Sequence, residues 1–369
     1  MQDSSTPNHG DIQRSSARLN RRSFLGTGAA VVGAGALAGC LGDDEAGDRN
    51  DFAIVSSPAG FDDNAFNDNA LEGLEEAAEE FDREVNAVEE TEEAEYQSVQ
   101  AELAEQQRYS VIVLVGFNHF DALETNAVEY EDQNWMLIND HVEGQDNVSG
   151  WIEMNNEMSF LAGVAAGTLT TADISHAGSS TDPSGTTVGF VGGEDIDLIN
   201  AFEQSYIEGV EWVNDDVEVL TGYGGSFSDT SAARDVAESQ IDDGADIVWH
   251  AASAAGRGVF AAAQNEDRFA LGVDVDQSVT AEQYADVILG SAVKALNEAT
   301  YQVGAAAAQD DWGSVSGEQN LSIEQGGIDF ITGQQFEGAL PAALDDSLEE
   351  AKQAFIDGEI ELTCGPTGC

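Results

Sequence analysis

The 369-residue chain carries 71 acidic and 12 basic residues, a formal net charge of −59. Such a field argues against nucleic acid as a partner, because a polyanion is repelled by it. In dilute buffer the self-repulsion weakens the compact state, but at molar salt the Debye length is only about 3 Å and most of it is screened, so the composition reads as a halophilic surface.

In chain order the first signal is Asn20-Arg21-Arg22-Ser23-Phe24-Leu25, followed by an apolar stretch of small residues and then Leu37-Ala38-Gly39-Cys40. The arginine pair resembles the signal read by the twin-arginine export pathway for folded proteins. Leu-Ala-Gly-Cys resembles a lipobox, whose cysteine becomes the lipidated N-terminus. Residues 27–39 fall short of the roughly 20 apolar residues that cross a bilayer, so the expected state is anchored rather than spanning. Residues 1–39 are thus expected to be a signal peptide, with Cys40 as lipid anchor and the mature protein on the extracellular face of the plasma membrane. The stretch before Cys40 holds four of the arginines and two of the aspartates, which leaves 69 acidic and 8 basic residues. Residues 40–50 are polar and acidic and suit a tether.

Folding starts at residue 51. A β-rich run at 51–57 precedes a helical stretch at 69–81, where Leu71, Leu74 and Ala78 keep helical spacing. Strand-like 84–88, helical 96–107 and the apolar run 111–115 follow, then strands at 135–138 and 148–152 and a small-residue helix at 159–169. A Ser, Gly and Thr-rich break at 175–185 opens a second series. Its strands are expected at 187–191, 217–221, 246–250 and 269–273, and its helices centre on Phe202, Ala237 and Ala262. Alternation of this kind predicts α/β architecture with parallel sheets covered by helices, in two similar lobes. Past Cys40, cysteine occurs only at Cys364 and Cys369, with no His or further Cys at ligand spacing, so a small-loop disulfide is expected and a metal site is not. Two free thiols are the alternative. The sequons at Asn147 and Asn320 permit glycosylation outside the cell.

Several segments are similar, in order, to one family. Phe61-Asp62-Asp63-Asn64-Ala65-Phe66-Asn67 with Leu71-Glu72-Gly73-Leu74, then Ser159-Phe160-Leu161-Ala162-Gly163, Gly189-Phe190-Val191-Gly192-Gly193-Glu194-Asp195-Ile196, Gly224-Gly225-Ser226-Phe227-Ser228-Asp229 and Gly272-Val273-Asp274-Val275-Asp276-Gln277 resemble motifs of the basic membrane protein family. These are nucleoside-binding lipoproteins that feed ABC transporters. The resemblance implies a type I periplasmic-binding-protein fold, two doubly wound lobes joined by a hinge, with a nucleoside (purine by the family pattern) between them and an ABC permease as partner. It places lobe 1 at 51–153 plus about 278–310, and lobe 2 at 154–277 plus part of 311–369. Parallel strand ends and the helix N-termini after them form polar concave sites in such folds.

Residues near those ends are the candidates. Phe66 stacks on a base or staples the helix start. Asn67 offers donor and acceptor to a base edge. Asp63 caps the following helix or contacts ligand. Trp249 stands roughly where the family has a stacking Phe, although the family continues Ala-Ala-Gly-Gly and this chain reads Ala251-Ala252-Ser253-Ala254. By the resemblance, Asp274 accepts ribose hydroxyls. Lys294, one of only two lysines in a chain that has shed them, completes the grip from the segment that returns to the first lobe or forms an ion pair. Gly116 and Asp140 end further strands and serve as contacts or as turn and cap. Lys352, amid Glu349, Glu350 and Asp357, reads as an ordinary helix pair.

An enzyme would need a nucleophile with its base or a metal cluster, and His9, His119, His141, His176 and His250 show no such arrangement. The expectation is a binding protein without cofactor. Glu194-Asp195 and Asp62-Asp63 keep a nucleoside hydrolase open as an alternative. So do a sensor receptor of the same fold and a sugar or acyl-homoserine-like ligand. The signal has its own test: changing Arg21 and Arg22 to lysine should block export of the folded precursor, and Cys40→Ser should leave the protein unprocessed or released into the medium. Fractionation after expression decides it, and normal membrane-bound processing of the Cys40 variant would refute the lipoprotein reading.

Overall fold

The computed structural model describes residues 49–369. The arginine pair, the apolar run, Cys40 and most of the tether lie outside them.

Along the described chain, β1 (Asp51–Val55), α1 (Phe66–Phe81), β2 (Val85–Val88), α2 (Tyr96–Glu105), β3 (Tyr109–Leu114), α3 (Phe120–Glu129), β4 (Trp135–Ile138) and β5 (Val148–Glu153) build a first lobe. The second contains α4 (Asn155–Leu169), the short β6 (Ser175–His176) and β7 (Ser179–Ser180), β8 (Thr187–Gly192), α5 (Asp197–Val213), β9 (Glu218–Tyr223), α6 (Thr230–Asp242), β10 (Ile247–Ala251), α7 (Arg257–Asn265), β11 (Phe269–Asp274), α8 (Gln277–Thr280) and β12 (Ile288–Lys294). Then α9 (Leu296–Ala308) and β13 (Gly317–Leu321) return to the first lobe, and β14 (Ile328–Thr332) and α10 (Ala342–Ile356) to the second. Each lobe has a six-stranded sheet, in the orders β13-β5-β4-β3-β1-β2 and β14-β12-β11-β10-β8-β9. Every pairing within them is parallel except β12 with β14.

Parallel strands are covered on both faces, so their sequences run apolar without alternation. In β3 all six residues are buried. One face of the first sheet packs on α1 and α9 through Leu74, Leu296 and Val303, the other on α2 and α3 through Leu103 and Leu123. The second sheet repeats the plan, with α4, α5 and α10 on one face and α6 and α7 on the other.

The lobe boundary expected near residue 278 needs correction. Residues 288–294 pair with β11 and β14 of the second sheet, so the chain returns to the first lobe only at α9. An apolar strand satisfies either sheet, and its sequence carries no mark of which. After the return, β13 adds to the first sheet beside β5. Lys352 differs too: its partner is Asp329 on β14, not a neighbour on its own helix.

The Ser-Phe-Leu-Ala-Gly segment lies in α4 and exists for packing. A Cβ at Gly163 would stand 2.1 Å from the Tyr206 carbonyl oxygen of α5, and one at Gly209 2.1 Å from that of Phe160. The two helices therefore approach to backbone contact. Gly163→Ala should lower stability by about 1–3 kcal/mol despite alanine's better helix propensity, whereas Gly313→Ala, with nothing within 4 Å, should be near neutral. Denaturant titration in molar salt reads both, and equal effects would refute the close-approach account.

Candidate functional site

The loops that leave the C-terminal ends of β1, β3, β4, β8, β10 and β11 meet between the lobes. After β1 the chain turns through Asp62 and Asn64, both at positive φ (62° and 56°), and enters α1. Asp63 is fully buried and its carboxylate accepts the backbone N–H groups of Ala65, Asn67 and Asp68 at 3.0–3.2 Å. This starts α1 at Phe66, three residues earlier than periodicity predicts. The same carboxylate accepts Ser253 Oγ from the second lobe at 2.9 Å. Arg257 Nη1 donates to the Asp62 carbonyl at 3.2 Å and Thr280 Oγ1 to that of Asn64 at 2.9 Å. The lobes are in contact along this edge.

Beside the edge lies a cavity of about 80 Å³. Ser57, Phe66, Gly116, Phe117, Asn118 and Asn139 line it from the first lobe, and Leu198, Phe202, Phe227, Ala252, Ser253, Val273, Asp274 and Lys294 from the second. Gly116 has φ +104°, and a Cβ there would point to within 3.7 Å of the Phe66 ring. Asp274 and Ser253 also hold positive φ, 69° and 45°, strain of the kind that surrounding contacts must offset.

At one end of the cavity is a buried ion cluster. Lys294 Nζ stands 2.9 Å from Glu153 Oε2, 3.2 Å from Asp274 Oδ1 and 3.1 Å from Asn155 Oδ1, and 4.7 Å from the centre of the Phe66 ring. Burial opposes the ammonium charge, but Asp274 and Glu153 outweigh it, and the lysine is held above its usual pKa. Burial pushes both carboxyls up, with Lys294 pulling them back only in part. Two carboxylates on one ammonium leave an acceptor surplus, and Asp274 lines the cavity with it.

The structure thus brings Phe66, Gly116, Asp274 and Lys294 together around one cavity. Asp63 is buried next to it as cap and cross-lobe acceptor. Several expectations are corrected. Asn67 Oδ1 accepts Ser57 N at 2.8 Å, and its Nδ2 donates to Ser57 Oγ and Asp63 at 2.9 and 3.0 Å, so its amide braces the loop and does not read a base. Trp249 is fully buried in the second core, stacked on Phe202 and Tyr206, and its Nε1 donates to the Gly272 carbonyl at 3.1 Å. β10 runs on to Ala251, so the cavity receives Ala251, Ala252 and Ser253 and no Trp249–Phe66 clamp exists. Asp140 lies at the rim, with Asp195, Asp197 and Thr367; half-burial raises its carboxyl pKa. Lys294 ends a strand of the second lobe, not a segment of the first. Cys364 and Cys369 are joined, with Cα atoms 4.5 Å apart.

Sequence reasoning missed Phe117, Phe202 and Phe227. Phe227 stood in a quoted motif and Phe202 at the centre of a predicted helix, so the signals existed without pointing into a cavity. The paired acids imagined for hydrolysis are used otherwise: Glu194, Asp195 and Asp62 are exposed while Asp63 caps a helix. Among the described residues no His, Cys, Asp and Glu group could hold a metal, and no helix is long and apolar enough to cross a membrane.

A family model described as ABC transporter substrate-binding protein PnrA-like matches residues 52–363. BmpA of Lactococcus lactis subsp. cremoris, named an ABC transporter nucleoside-binding protein, is 28% identical over 373 residues, 93% of this chain and 99% of its own. An uncharacterized lipoprotein of Pyrococcus furiosus is 26% identical over 82% of this chain and 75% of its own. Among solved structures, an ABC transporter solute-binding protein of Aeropyrum pernix K1 superposes with a TM-score of 0.73 at 24% identity, covering 84% of this chain and 92% of that one. A sugar-binding protein of Bacillus halodurans superposes with 0.58. The fold is that of the type I periplasmic solute-binding proteins.

The ion cluster makes a signed prediction. Lys294→Met leaves two buried carboxylates without a cation and should cost about 3–5 kcal/mol at neutral pH in molar salt. Carboxyls raised in the fold bind protons that the unfolded chain releases above its ordinary values, 3.8 for Asp and 4.5 for Glu. Their stabilisation is full below those values and is lost as pH rises. The deficit of the variant should therefore shrink on acidification toward pH 5. Denaturant curves at both pH values check it, and an equal deficit at each would mean the carboxylates do not sense the lysine.

Proposed function

Because the chain belongs to the PnrA-like family of ABC transporter substrate-binding proteins, we propose that it captures a nucleoside between its lobes and delivers it to an ABC permease. The observation that carries the ligand class is the lining of the cavity. Phe66, Phe202 and Phe227 give it aromatic walls, and Asp274 with Lys294 gives it a charged end. A planar base suits the first and a vicinal diol the second: Asp274 has lone pairs beyond the one given to Lys294, and the ammonium, its three N–H groups taken by Glu153, Asn155 and Asp274, fixes that carboxylate in place. The nucleoside in the name of the Lactococcus relative agrees with this reading. Binding and closure are the whole mechanism, with no bond made or broken. Closure joins Ser253 to Asp63 and Arg257 to Asp62 across the cleft edge, and the closed form then offers a changed surface to the permease.

In this reading Cys40 tethers the protein to the outer face of the membrane after twin-arginine export, and the acidic surface suits high salt. A purine is the base the family pattern favours, and the aromatic walls suit any planar base.

Adenosine, guanosine or inosine should bind with a Kd in the micromolar range or tighter, about −8 kcal/mol, by calorimetry in molar potassium chloride. Asp274→Ala should weaken binding roughly ten- to a hundredfold and Phe66→Ala about tenfold or more, whereas Trp249→Phe should act on stability far more than on affinity. Free ribose binding as tightly as the nucleosides would defeat the aromatic half of the proposal.

A further inference from the structure

The family match ends at residue 363, and the next residues form a loop closed by Cys364 and Cys369. This loop does not hang free. The Cys364 carbonyl accepts Asn156 Nδ2 at 3.0 Å, and the Pro366 carbonyl accepts Asn155 Nδ2 at 3.2 Å. Both asparagines open α4, directly after the chain leaves the first lobe at β5.

Asn155 is fully buried, and its amide is spoken for on every side. Nδ2 donates to Asn139 Oδ1 at 2.9 Å as well as to Pro366, and Oδ1 accepts Lys294 Nζ. A primary amide has two donors and one acceptor oxygen in a fixed plane. With both donors held by carbonyl-type oxygens, one from the first lobe and one from the loop, the oxygen must face the ammonium. The reversed amide would aim N–H groups at a cation and would leave a buried oxygen facing acceptors, each costly in a dry site.

We propose that the Cys364–Cys369 loop is a positioning element of the ligand site: through Pro366 it fixes the amide of Asn155, which orients Lys294. The bridge matters because it holds a short turn, closed inside by Gly365 N–H to the Gly368 carbonyl at 2.9 Å, with its carbonyls aimed at α4. Opened, a segment this short has little apolar surface to hold it there. The ligand half of this inference rests on the nucleoside reading; the geometric half does not.

The test compares the full-length protein with Cys364→Ser/Cys369→Ser, Asn155→Ala and the triple variant in molar potassium chloride. Two readouts are taken: amide exchange of peptides covering 153–158 without ligand, and calorimetric titration with adenosine. Opening the bridge should raise exchange in that segment several-fold and weaken adenosine about five- to tenfold. The triple variant should be no weaker than Asn155→Ala alone, since parts acting through one amide do not add. Gly163→Ala, which loosens α4 elsewhere, should lower thermal stability without this local pattern. If the serine pair fails to fold, thiol reduction of the folded wild type supplies the same comparison. Exchange within twofold of wild type would overturn the inference. Raised exchange with unchanged adenosine affinity, or full additivity with Asn155→Ala, would reduce the loop to a brace and overturn its positioning role. Should wild type ignore adenosine, the nucleoside reading falls, and the exchange arm still decides the loop.

Discussion

A buried ammonium between two carboxylates is the contact on which the structure turns. Lys294 ends β12 in the second lobe, Glu153 ends β5 in the first, and Asp274 ends β11 beside β12. Each sits within two residues of a place where the chain passes between lobes or opens the cavity. Burying these charges is expensive, and the expense is offset only if all three remain together with Asn155 completing the lysine's hydrogen bonds. The cluster thus ties the crossing segments into one geometry and leaves a polar acceptor at the cavity end. Under the proposed function, stability and recognition draw on the same atoms.

The cleft is assembled from backbone that would be unfavourable elsewhere. Asp62, Asn64, Ser253 and Asp274 all hold positive φ, and most of them meet across the lobe edge. Ser253 is the instructive one. The family pattern puts glycine in this region, for which the left-handed conformation is free; serine pays strain but adds Ser253 Oγ to Asp63, a bond between lobes that glycine cannot make. Local strain and cross-lobe contact are coupled at one residue.

The scarcity of cations sharpens these assignments. Among the described residues, several of the few bases sit at joints: Arg108 bridges Asp51 and Glu84 at the start of β1, Arg268 reaches the Ser180 carbonyl at the small hairpin, Arg257 spans the lobes, and Lys352 ties α10 to β14. Surface pairs of this kind contribute little energy individually. Their placement still fixes which elements meet, while the acidic remainder of the surface is left to solvent and salt.

The sequence by itself determined the element order, the two-lobe plan and the family, because apolar runs and small-residue helices report burial on both faces of a parallel sheet, and five collinear motifs report ancestry. It also put Phe66, Asp274 and Lys294 among the candidates, Phe66 and Asp274 through the family resemblance and their places after strands, and Lys294 as one of only two lysines in a chain rich in acids. Tertiary structure alone decided the rest. Whether Trp249 faces cavity or core depends on where β10 stops, two residues that periodicity does not resolve. Whether Asn67 reads a ligand depends on Ser57 and Asp63 having already claimed its amide. Glu153, Asn155 and the Cys364–Cys369 loop join the site from positions far apart in sequence, and separations of 139 and 211 residues leave no local pattern from which such a meeting can be read.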